Sequence, residues 1–326
     1  MEHGKALITG ASGFVGRRLR QFLTREGLEV VALRRPGSPP AKTGRAVQAS
    51  YDDLPALTQL MREEKPDWVF HVAGVTKGVK YDDFWRGNVL PTQNLLKALE
   101  AGHPDVRRFV HVSSLTSYGP STPGRPTREE DPRRPVEHYG RSKLEAEEIV
   151  EDERNLPWTI VRPAGVYGPG DVDYLELFKI TRRGINLFFG NRRHHKSVIY
   201  IDDCVRAIAL AAQSDRSQGQ GYFLCDGSPL TWDDFQRHVV AAMDRRVLTL
   251  NLPGTFTQLA AVGGELATRI DGKARLLNRQ KARMGAQKAW TCSGEKAAQD
   301  FGFEAAVFPA EGTRLTHEWY QHEGWY

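Results

Sequence analysis

Length, composition and charge narrow the class of this protein before any motif is considered. The 326 residues include 40% hydrophobic and 26% charged side chains, which excludes a disordered chain and leaves one large or two modest folded domains. The net charge of +5 comes from arginines scattered along the chain, so we expect no nucleic acid partner.

Cysteine usage and hydropathy bear on the compartment. The three cysteines, Cys204, Cys225 and Cys292, are far apart and form no CxxC pair, so we expect a reducing compartment and no structural metal. No apolar run reaches the roughly 18 residues of a membrane span, and the opening MEHGKALITG lacks the apolar core of a signal peptide. The sequence therefore predicts a cytoplasmic protein without a membrane span.

In the first half of the chain, predicted strands alternate with predicted helices. The strands are KALITG, LEVVALRR, a short one near AVQAS, WVFHVAG, RFVHVSS and WTIVRPAGVYG. The helices are GFVGRRLRQFLTREG, about 54–65, about 84–101 and EHYGRSKLEAEEIVE. Strands that alternate with helices of about 10–15 residues indicate βαβ units, and they predict an α/β fold with a doubly wound parallel sheet of the Rossmann type.

The second half carries weaker signals and is predicted to add a smaller mixed α/β substrate lobe at the C-terminal side. We expect the Rossmann domain to comprise residues 1–165 plus about 196–226, and the lobe about 166–195 plus 227–326. The segment NLPGTFTQLAAVGGELATRI predicts a lobe helix that begins at Pro253 and is too polar to span a bilayer. A peripheral membrane contact by this helix stays open as an alternative.

The first strand–helix turn carries the most specific single motif. TGASGFVG places Gly10, Gly13 and Gly16 between a strand and the start of a helix. The first glycine permits a tight turn, the second lets the backbone approach a pyrophosphate, and the third allows close helix–strand packing. The helix N-terminus adds N–H donors and a positive dipole end. In this context the glycines predict a dinucleotide site.

Six segments, taken in order, resemble those of the extended short-chain dehydrogenase/reductases, which include nucleotide-sugar epimerases and dehydratases. They are TGASGFVG, HVAG (71–74), the helix start at Asn88, HVSSLTSYG, YGRSK and RPAGVYGPGD. The resemblance covers essentially the whole chain, because the C-terminal tail is also similar to that of the family. The strand histidines His71 and His111 are predicted to be structural, with hydrogen-bonded rings.

The resemblance implies a catalytic set of Tyr139, Lys143, Ser114 and Asn88. Tyr139 and Lys143 lie one helical turn apart, so they share a face of the helix. A phenol with a pKa near 10 is a poor base, and a neighbouring ammonium would lower its pKa toward neutrality. Ser114 would steady the substrate oxygen, with Ser113 as the competitor on the opposite face. Asn88 is a good helix N-cap in either case, so its catalytic role stays open.

The resemblance also implies which residues hold the cofactor. Besides Tyr139 and Lys143 they are Gly10, Ser12, Gly13, Phe14, Val15, Gly16, Ala73, Gly74, Pro163 and Val166. The second strand ends in Arg34 and Arg35, where NAD enzymes usually carry an acidic residue. Guanidinium groups suit a 2′-phosphate, so we expect NADP, with NAD as the alternative. Lys196, in the basic stretch NRRHHK, is expected to contact an anionic small-molecule substrate.

Three functions remain open at this point. The first is an oxidoreductase, epimerase or dehydratase acting on a hydroxyl or keto carbon of a nucleotide sugar, and we favour it. The second is a reductase or dehydrogenase of an apolar substrate, similar to dihydroflavonol reductases and 3-beta-hydroxysteroid dehydrogenases. The third is a non-enzymatic cofactor-binding assembly protein. Relatives commonly dimerise through the helices that correspond to about 84–101 and 138–153, so a homodimer is expected.

Overall fold

In the computed structural model, which describes residues 3–38, 44–253 and 279–326, seven parallel strands build the main sheet. They are β1 (Lys5–Thr9), β2 (Glu29–Arg34), β3 (Arg45–Gln48), β4 (Trp68–His71), β5 (Arg108–Val112), β6 (Trp158–Pro163) and β11 (Gln220–Leu224). Their spatial order is β3-β2-β1-β4-β5-β6-β11. The chain thus starts in the middle of the sheet and winds outward in both directions, which confirms the predicted doubly wound fold.

Helices cover both faces of this sheet. Those described are α1 (Phe14–Arg25), α2 (Leu54–Glu64), α3 (Tyr81–Phe84), α4 (Leu90–Gly102), α5 (His138–Glu151), α6 (Leu175–Arg182), α7 (Ile201–Gln213), α8 (Trp232–Ala242), α9 (Arg279–Ala286), α10 (Glu295–Phe301) and α11 (Pro309–His322). The alternation of β1 shows the two layers: Ile8 packs into a core with α1 and α7, whereas Leu7 packs into a core with α2, α4 and α5.

The predicted helix over 84–101 is a composite of three segments. A π-helix, Trp85–Val89, joins α3 to α4, and Asn88 lies inside it. The apolar side chains of this stretch that a dimer interface would need are instead buried in their own chain; they are Val89, Leu95, Leu96 and Leu99. The outer surface that remains on α4 and α5 is therefore mostly polar.

The predicted strand WTIVRPAGVYG is two strands, which corrects the prediction. β6 ends at Pro163, and β7 (Gly165–Tyr167) leaves the main sheet to pair with β10 (Val198–Tyr200). Ala164 lies at the break, where its N–H donates to Leu224 O at 2.9 Å. The chain turns out of the sheet here and leads toward the second half of the molecule.

Two further small sheets lie in the second half. One has the order β12 (Leu230–Thr231), β9 (His195–Lys196), β14 (Ala289–Trp290), and the other pairs β13 (Leu248–Leu252) with β8 (Ile185–Phe189). Because the β7–β10 pair joins residues from both sides of the predicted domain boundary, the exact division into two domains stays a proposal.

The segment predicted as a helix beginning at Pro253 lies, apart from Pro253 itself, outside the described residues. No helix in the described part of the chain combines the length and the apolar character that crossing a membrane requires. Within the same residues, no group of histidine, cysteine and acidic side chains has the arrangement of a metal site.

Candidate active site

The glycine turn after β1 has the backbone geometry that the sequence predicts. Gly10 has φ of 66°, a left-handed conformation that favours glycine. A Cβ added to Gly16 would lie 2.2 Å from Gly10 O, so only a glycine allows α1 to pack this closely against the turn. α1 begins after Gly13 without a side-chain cap, which leaves the N–H groups of its first turn for a ligand.

The side chains and N–H groups of this turn fit the phosphates of a dinucleotide. Ser12 is exposed, Phe14 and Val15 are partly buried, and these three residues surround the uncapped helix start. The start of a helix combines the positive end of the helix dipole with N–H donors that have no intrahelical partner, and this combination commonly binds a pyrophosphate. The geometry therefore agrees with the predicted cofactor turn, although the individual contacts stay proposals.

The loop after β4 is fastened to both β1 and the π-helix. Thr9 Oγ1 accepts from Ala73 N at 3.0 Å and bonds His71 Nδ1 at 2.8 Å, and His71 Nε2 bonds Thr92 Oγ1 at 3.0 Å. His71 is thus a hydrogen-bonded strand histidine, as predicted, and burial lowers its pKa to about 3. The matching prediction for His111 is wrong: neither ring nitrogen has a partner among the described residues.

Asn88 positions this loop against the helix that carries Tyr139. Its Oδ1 accepts from Val75 N at 2.7 Å, and its Nδ2 donates to Val75 O at 3.1 Å and to Ser142 Oγ at 2.8 Å. A Cβ on Gly74 would lie 3.1 Å from Asn88 Oδ1. Because the Asn88 amide is committed to these partners and buried, its role in this arrangement is to hold the loop.

Tyr139 lies in the first turn of α5, with Ser114 beside it. Glu137 caps the helix by accepting from Tyr139 N at 2.6 Å, and the Ser114 hydroxyl lies close enough to the phenol to act on its pKa. Burial raises the pKa of Tyr139 to about 12, the Ser114 hydrogen bond opposes this, and the Glu137 and Asp173 carboxylates raise it further. Ser113 points the other way and donates to Glu147. The structure therefore brings Ser114, rather than Ser113, to the phenol.

Lys143 lies one turn after Tyr139, with its ammonium under the loop that carries Gly74. Its Nζ donates to Val112 O at 2.9 Å and lies 6.0 Å from the centre of the Tyr139 ring. Burial lowers the pKa of Lys143 to about 8, while the Glu147 carboxylate acts to raise it. A Cβ on Gly74 would lie 3.2 Å from Nζ. This glycine leaves room for the Lys143 ammonium at the surface where a cofactor would lie.

A buried group of charges behind α5 was not anticipated from the sequence. Glu147 is fully buried, and its carboxylate accepts from Ser113, from Arg162 Nε at 3.0 Å and from Arg133 Nη1 at 3.2 Å. Arg162 is also buried, and its guanidinium lies 5.0 Å from the centre of the Tyr118 ring. These contacts join α5 to β6 and to the 120–135 loop, so they fix the helix that carries Tyr139 and Lys143.

Two loops meet at the mouth of this site. Lys77, in the loop after β4, forms an ion pair with Asp173, in the loop after β7, with an N–O distance of 3.5 Å. The Asp173 charge acts to raise the pKa of Tyr139, so this loop lies within electrostatic range of the phenol. Pro163 and Val166 lie on the segment that leads from β6 to this loop. The resemblance implies that both residues contact the nicotinamide end of the cofactor.

The two arginines at the end of β2, Arg34 and Arg35, differ in how far their side chains are engaged by the protein. Arg34 Nη2 donates to Ser38 O, so this guanidinium is partly committed to its own loop. Arg35 is exposed and has no ion pair with a described residue. Of the two, Arg35 is the arginine whose side chain is available to a phosphate.

Lys196, which the sequence predicts as a contact of an anionic substrate, lies in an aromatic setting. It lies in β9, is buried, and its Nζ is 3.3 Å from the centre of the Trp232 ring, 3.9 Å from that of Phe235 and 4.9 Å from that of Tyr174. Its Nζ has no hydrogen-bond partner among the described residues, and burial lowers the pKa of this amine well below its usual value. In this arrangement the amine faces aromatic rings.

A doubly wound sheet with this glycine turn, together with a Tyr139–Ser114–Lys143 set at the carboxyl edge of its strands, is the arrangement of a dinucleotide-dependent oxidoreductase. The profile of the NAD dependent epimerase/dehydratase family matches residues 6–224, and the chain belongs to this family. It is an enzyme of the extended short-chain dehydrogenase/reductase type.

Individual relatives match most of the chain. A ceramide reductase of Caulobacter vibrioides is 29% identical over 99% of this chain and 96% of its own length. A dTDP-6-deoxy-L-talose 4-dehydrogenase (NAD(P)(+)) of Kitasatospora kifunensis is 32% identical over 80% of this chain and 83% of its own. The solved structure of MoeE5 in complex with UDP-glucuronic acid and NAD is 25% identical, has a TM-score of 0.78 and covers 98% of this chain and 100% of its own.

Proposed function

We propose that this enzyme interconverts a hydroxyl and a keto group by hydride transfer, with Tyr139 as the general acid and base. The observation that carries the proposal is the convergence of Tyr139, Ser114 and Lys143 beside an uncapped, glycine-rich helix start. A bound nicotinamide would supply or accept the hydride. A binding protein without a reaction has no need of a phenol held against a serine hydroxyl, so the non-enzymatic alternative gains no support.

Each side chain has a distinct part in this proposal. The protonated Tyr139 hydroxyl donates to a carbonyl oxygen during reduction and takes the proton back during oxidation. Ser114 donates to the same oxygen and orients the phenol. Lys143, held by Val112 O, presents its ammonium at the surface beside Gly74, where it lowers the cost of forming phenolate and bonds the ribose of the cofactor.

The setting of Lys196 supports one substrate class over the other. The sequence predicts Lys196 as a contact of an anionic substrate, but its amine is buried against Trp232, Phe235 and Tyr174 and has no hydrogen-bond partner among the described residues. This favours an apolar hydroxyl or keto substrate, in agreement with the similarity to a ceramide reductase. A nucleotide sugar stays the second candidate, since MoeE5 was solved with UDP-glucuronic acid and matches the chain along its whole length.

For the cofactor we propose NADP. Arg35 is exposed at the end of β2, and no acidic residue follows on that strand to repel a 2′-phosphate. Guanidinium groups bind phosphate in a bidentate manner and stay charged at all relevant pH values. Asn88 is proposed to act through its hold on the loop after β4, without contact to the reacting atoms.

The test combines a substrate panel with Tyr139→Phe. NADPH oxidation is followed with long-chain keto compounds and with UDP- and dTDP-linked keto sugars, and we expect turnover of an apolar ketone. Tyr139→Phe should then lower kcat by about 10²–10⁴-fold, because the proton donor is lost, while NADPH affinity is retained.

Tyr81→Phe is the matched control, since it removes a nearby phenol that donates to Glu145 and takes no part in the proposed reaction. It should keep the kcat of the unmodified enzyme. Comparable activity in Tyr139→Phe would overturn the mechanism, and turnover of the nucleotide sugars alone would replace the apolar substrate by the second candidate.

A further inference from the structure

Four arginines meet at one end of the β8–β13 ribbon. Arg182 and Arg183 end α6 just before β8, and Arg245 and Arg246 precede β13. The two pairs are neighbours because Leu248 N donates to Gly184 O at 2.8 Å. We call these four exposed residues the arginine patch.

Few acidic side chains lie beside the arginine patch in the described part of the chain. Residues 179–193 contain five basic side chains and no acidic one, and 244–253 contain two arginines and one carboxylate, that of Asp244. Arg183, Arg245 and Arg246 form no ion pair with any described residue, and Arg182 lies 5.2 Å from the centre of the Tyr326 ring. Exposed arginines elsewhere on the chain commonly have carboxylates beside them, as Arg125 has Asp131 and Arg314 has Glu311.

Apolar side chains are exposed directly beside the arginine patch. Leu248 is 65% exposed and Leu250 39% exposed, and both lie on β13, whose residues are exposed or partly exposed throughout. Leucines on a surface strand that alternate with polar Thr249 and Asn251 give one apolar face. The surface therefore combines unpaired cations with an apolar strip.

We propose that the arginine patch, with Leu248 and Leu250, is a docking surface for membranes that contain anionic lipids. The guanidinium groups would bind lipid phosphates and carboxylates, and the two leucines would enter the boundary between headgroups and acyl chains. A nucleic acid would satisfy the arginines but would leave the leucines in water, which is why the lipid surface is the better match. The proposal concerns a surface outside the active site and does not depend on the proposed reaction.

The test is co-sedimentation of the full-length protein with vesicles. We expect binding to vesicles of phosphatidylcholine with phosphatidylserine, weakening as sodium chloride is added, and little binding to phosphatidylcholine alone. The double variant Arg183→Gln/Arg246→Gln should weaken binding by about fivefold for each arginine removed. Leu248→Ser/Leu250→Ser should also weaken binding while the salt dependence stays.

The matched control is Arg25→Gln/Arg154→Gln, which removes the same charge from two exposed arginines outside the patch. It should bind vesicles like the unmodified protein, and the circular dichroism of every variant should be unchanged. An equal loss in the control would show a net-charge effect and overturn the proposal. Binding to duplex DNA with the same affinity, unaffected by the leucine variants, would overturn it in favour of a nucleic acid.

Discussion

The region around Tyr139 and the second half of the chain differ in how their charged groups are balanced. Behind α5, the buried Glu147 carboxylate is surrounded by Arg162, Arg133 and the Ser113 hydroxyl. In the second half, the Lys196 amine is buried without a hydrogen-bond partner among the described residues, and three arginines of the arginine patch form no ion pair with any of them.

The first kind of charged group is paired within the chain and stabilises the fold, whereas the second kind has no ion pair within the described residues. A buried ion pair with all its hydrogen bonds made costs little to keep and much to break. A buried amine without a hydrogen-bond partner costs free energy to keep, and a perturbed titratable group of this kind is a candidate for a functional role. Substitutions on the two sides should therefore change stability in opposite directions.

The largest effect is expected from Glu147→Gln. Arg162 would keep its charge in a buried position with only the longer 3.5 Å contact to Glu151, so the free energy of unfolding should fall by about 3 kcal/mol. Urea unfolding followed by circular dichroism measures this change. Glu148→Gln, on the exposed side of the same helix, is the control and should leave stability nearly unchanged. If Glu147→Gln lowered the free energy of unfolding no more than Glu148→Gln does, the Glu147 carboxylate would not be coupled to Arg162 as described.

Lys196→Met should act in the opposite direction and stabilise the protein. Methionine keeps the volume and removes a buried donor without a partner, so the free energy of unfolding should rise by about 1–3 kcal/mol near pH 7. Because the pKa of Lys196 is lowered in the folded state, the unfolded state binds the extra proton below the ordinary lysine pKa of 10.5. The unmodified protein should therefore gain stability relative to the variant as the pH rises toward that value.

The measurement is urea unfolding of both proteins at neutral and at alkaline pH. Lys179→Met, at a half-exposed lysine paired with Glu176, is the control and should show no pH-dependent gain. If Lys196→Met destabilised the protein at neutral pH, the Lys196 amine would be charged and stabilised by cation–π contacts with the rings. Lys196 would then again be a candidate ligand of an anionic substrate.

Arginine substitutions after β2 test the cofactor with a smaller effect. Arg35→Ala should weaken NADP binding by about tenfold, since a charged hydrogen bond contributes about 1.5–3 kcal/mol, and should leave NAD binding unchanged. Arg34→Ala should cost less, because Arg34 already donates to Ser38 O. Dissociation constants for both cofactors, from the quenching of tryptophan fluorescence, decide the point. Tighter binding of NAD than of NADP by the unmodified protein would contradict the proposal.

The smallest effect concerns assembly. We propose a homodimer through the outer faces of α4 and α5, and light scattering at micromolar concentration should give twice the mass of the chain. Because the apolar side chains of α4 are buried in their own core, the contact would be polar and should weaken with salt. A single-chain mass at low ionic strength would exclude this interface, whereas Lys97→Glu should separate the dimer without unfolding the chain.

The parts of the site that the sequence predicted are those built from neighbouring residues. Gly10 and Gly16 act through a local turn, and Tyr139 and Lys143 through one turn of helix, so spacing placed them together and the resemblance to the family implied their roles. Glu147 and Arg162 lie on different elements, and their pairing depends on how α5 packs on the sheet. The rings around Lys196 come from two separate segments, α8 and the start of α6, and the ring nitrogens of His111 lack partners among the described residues. The hydrophobic periodicity of a sequence predicts helices and strands, but it does not predict which side chains of different elements come into contact.

The π-helix over Trp85–Val89 makes this stretch sensitive to length. A π turn holds one residue more than an α turn, and an α-helix rotates by about 100° for each residue. Deleting one residue here would permit an unbroken α-helix and would keep Leu95 and Leu99 facing the core, but it would remove the local bulge and move the Asn88 amide away from Val75. Homologous chains should therefore vary in residue type along this stretch while insertions and deletions are confined to the loops on either side.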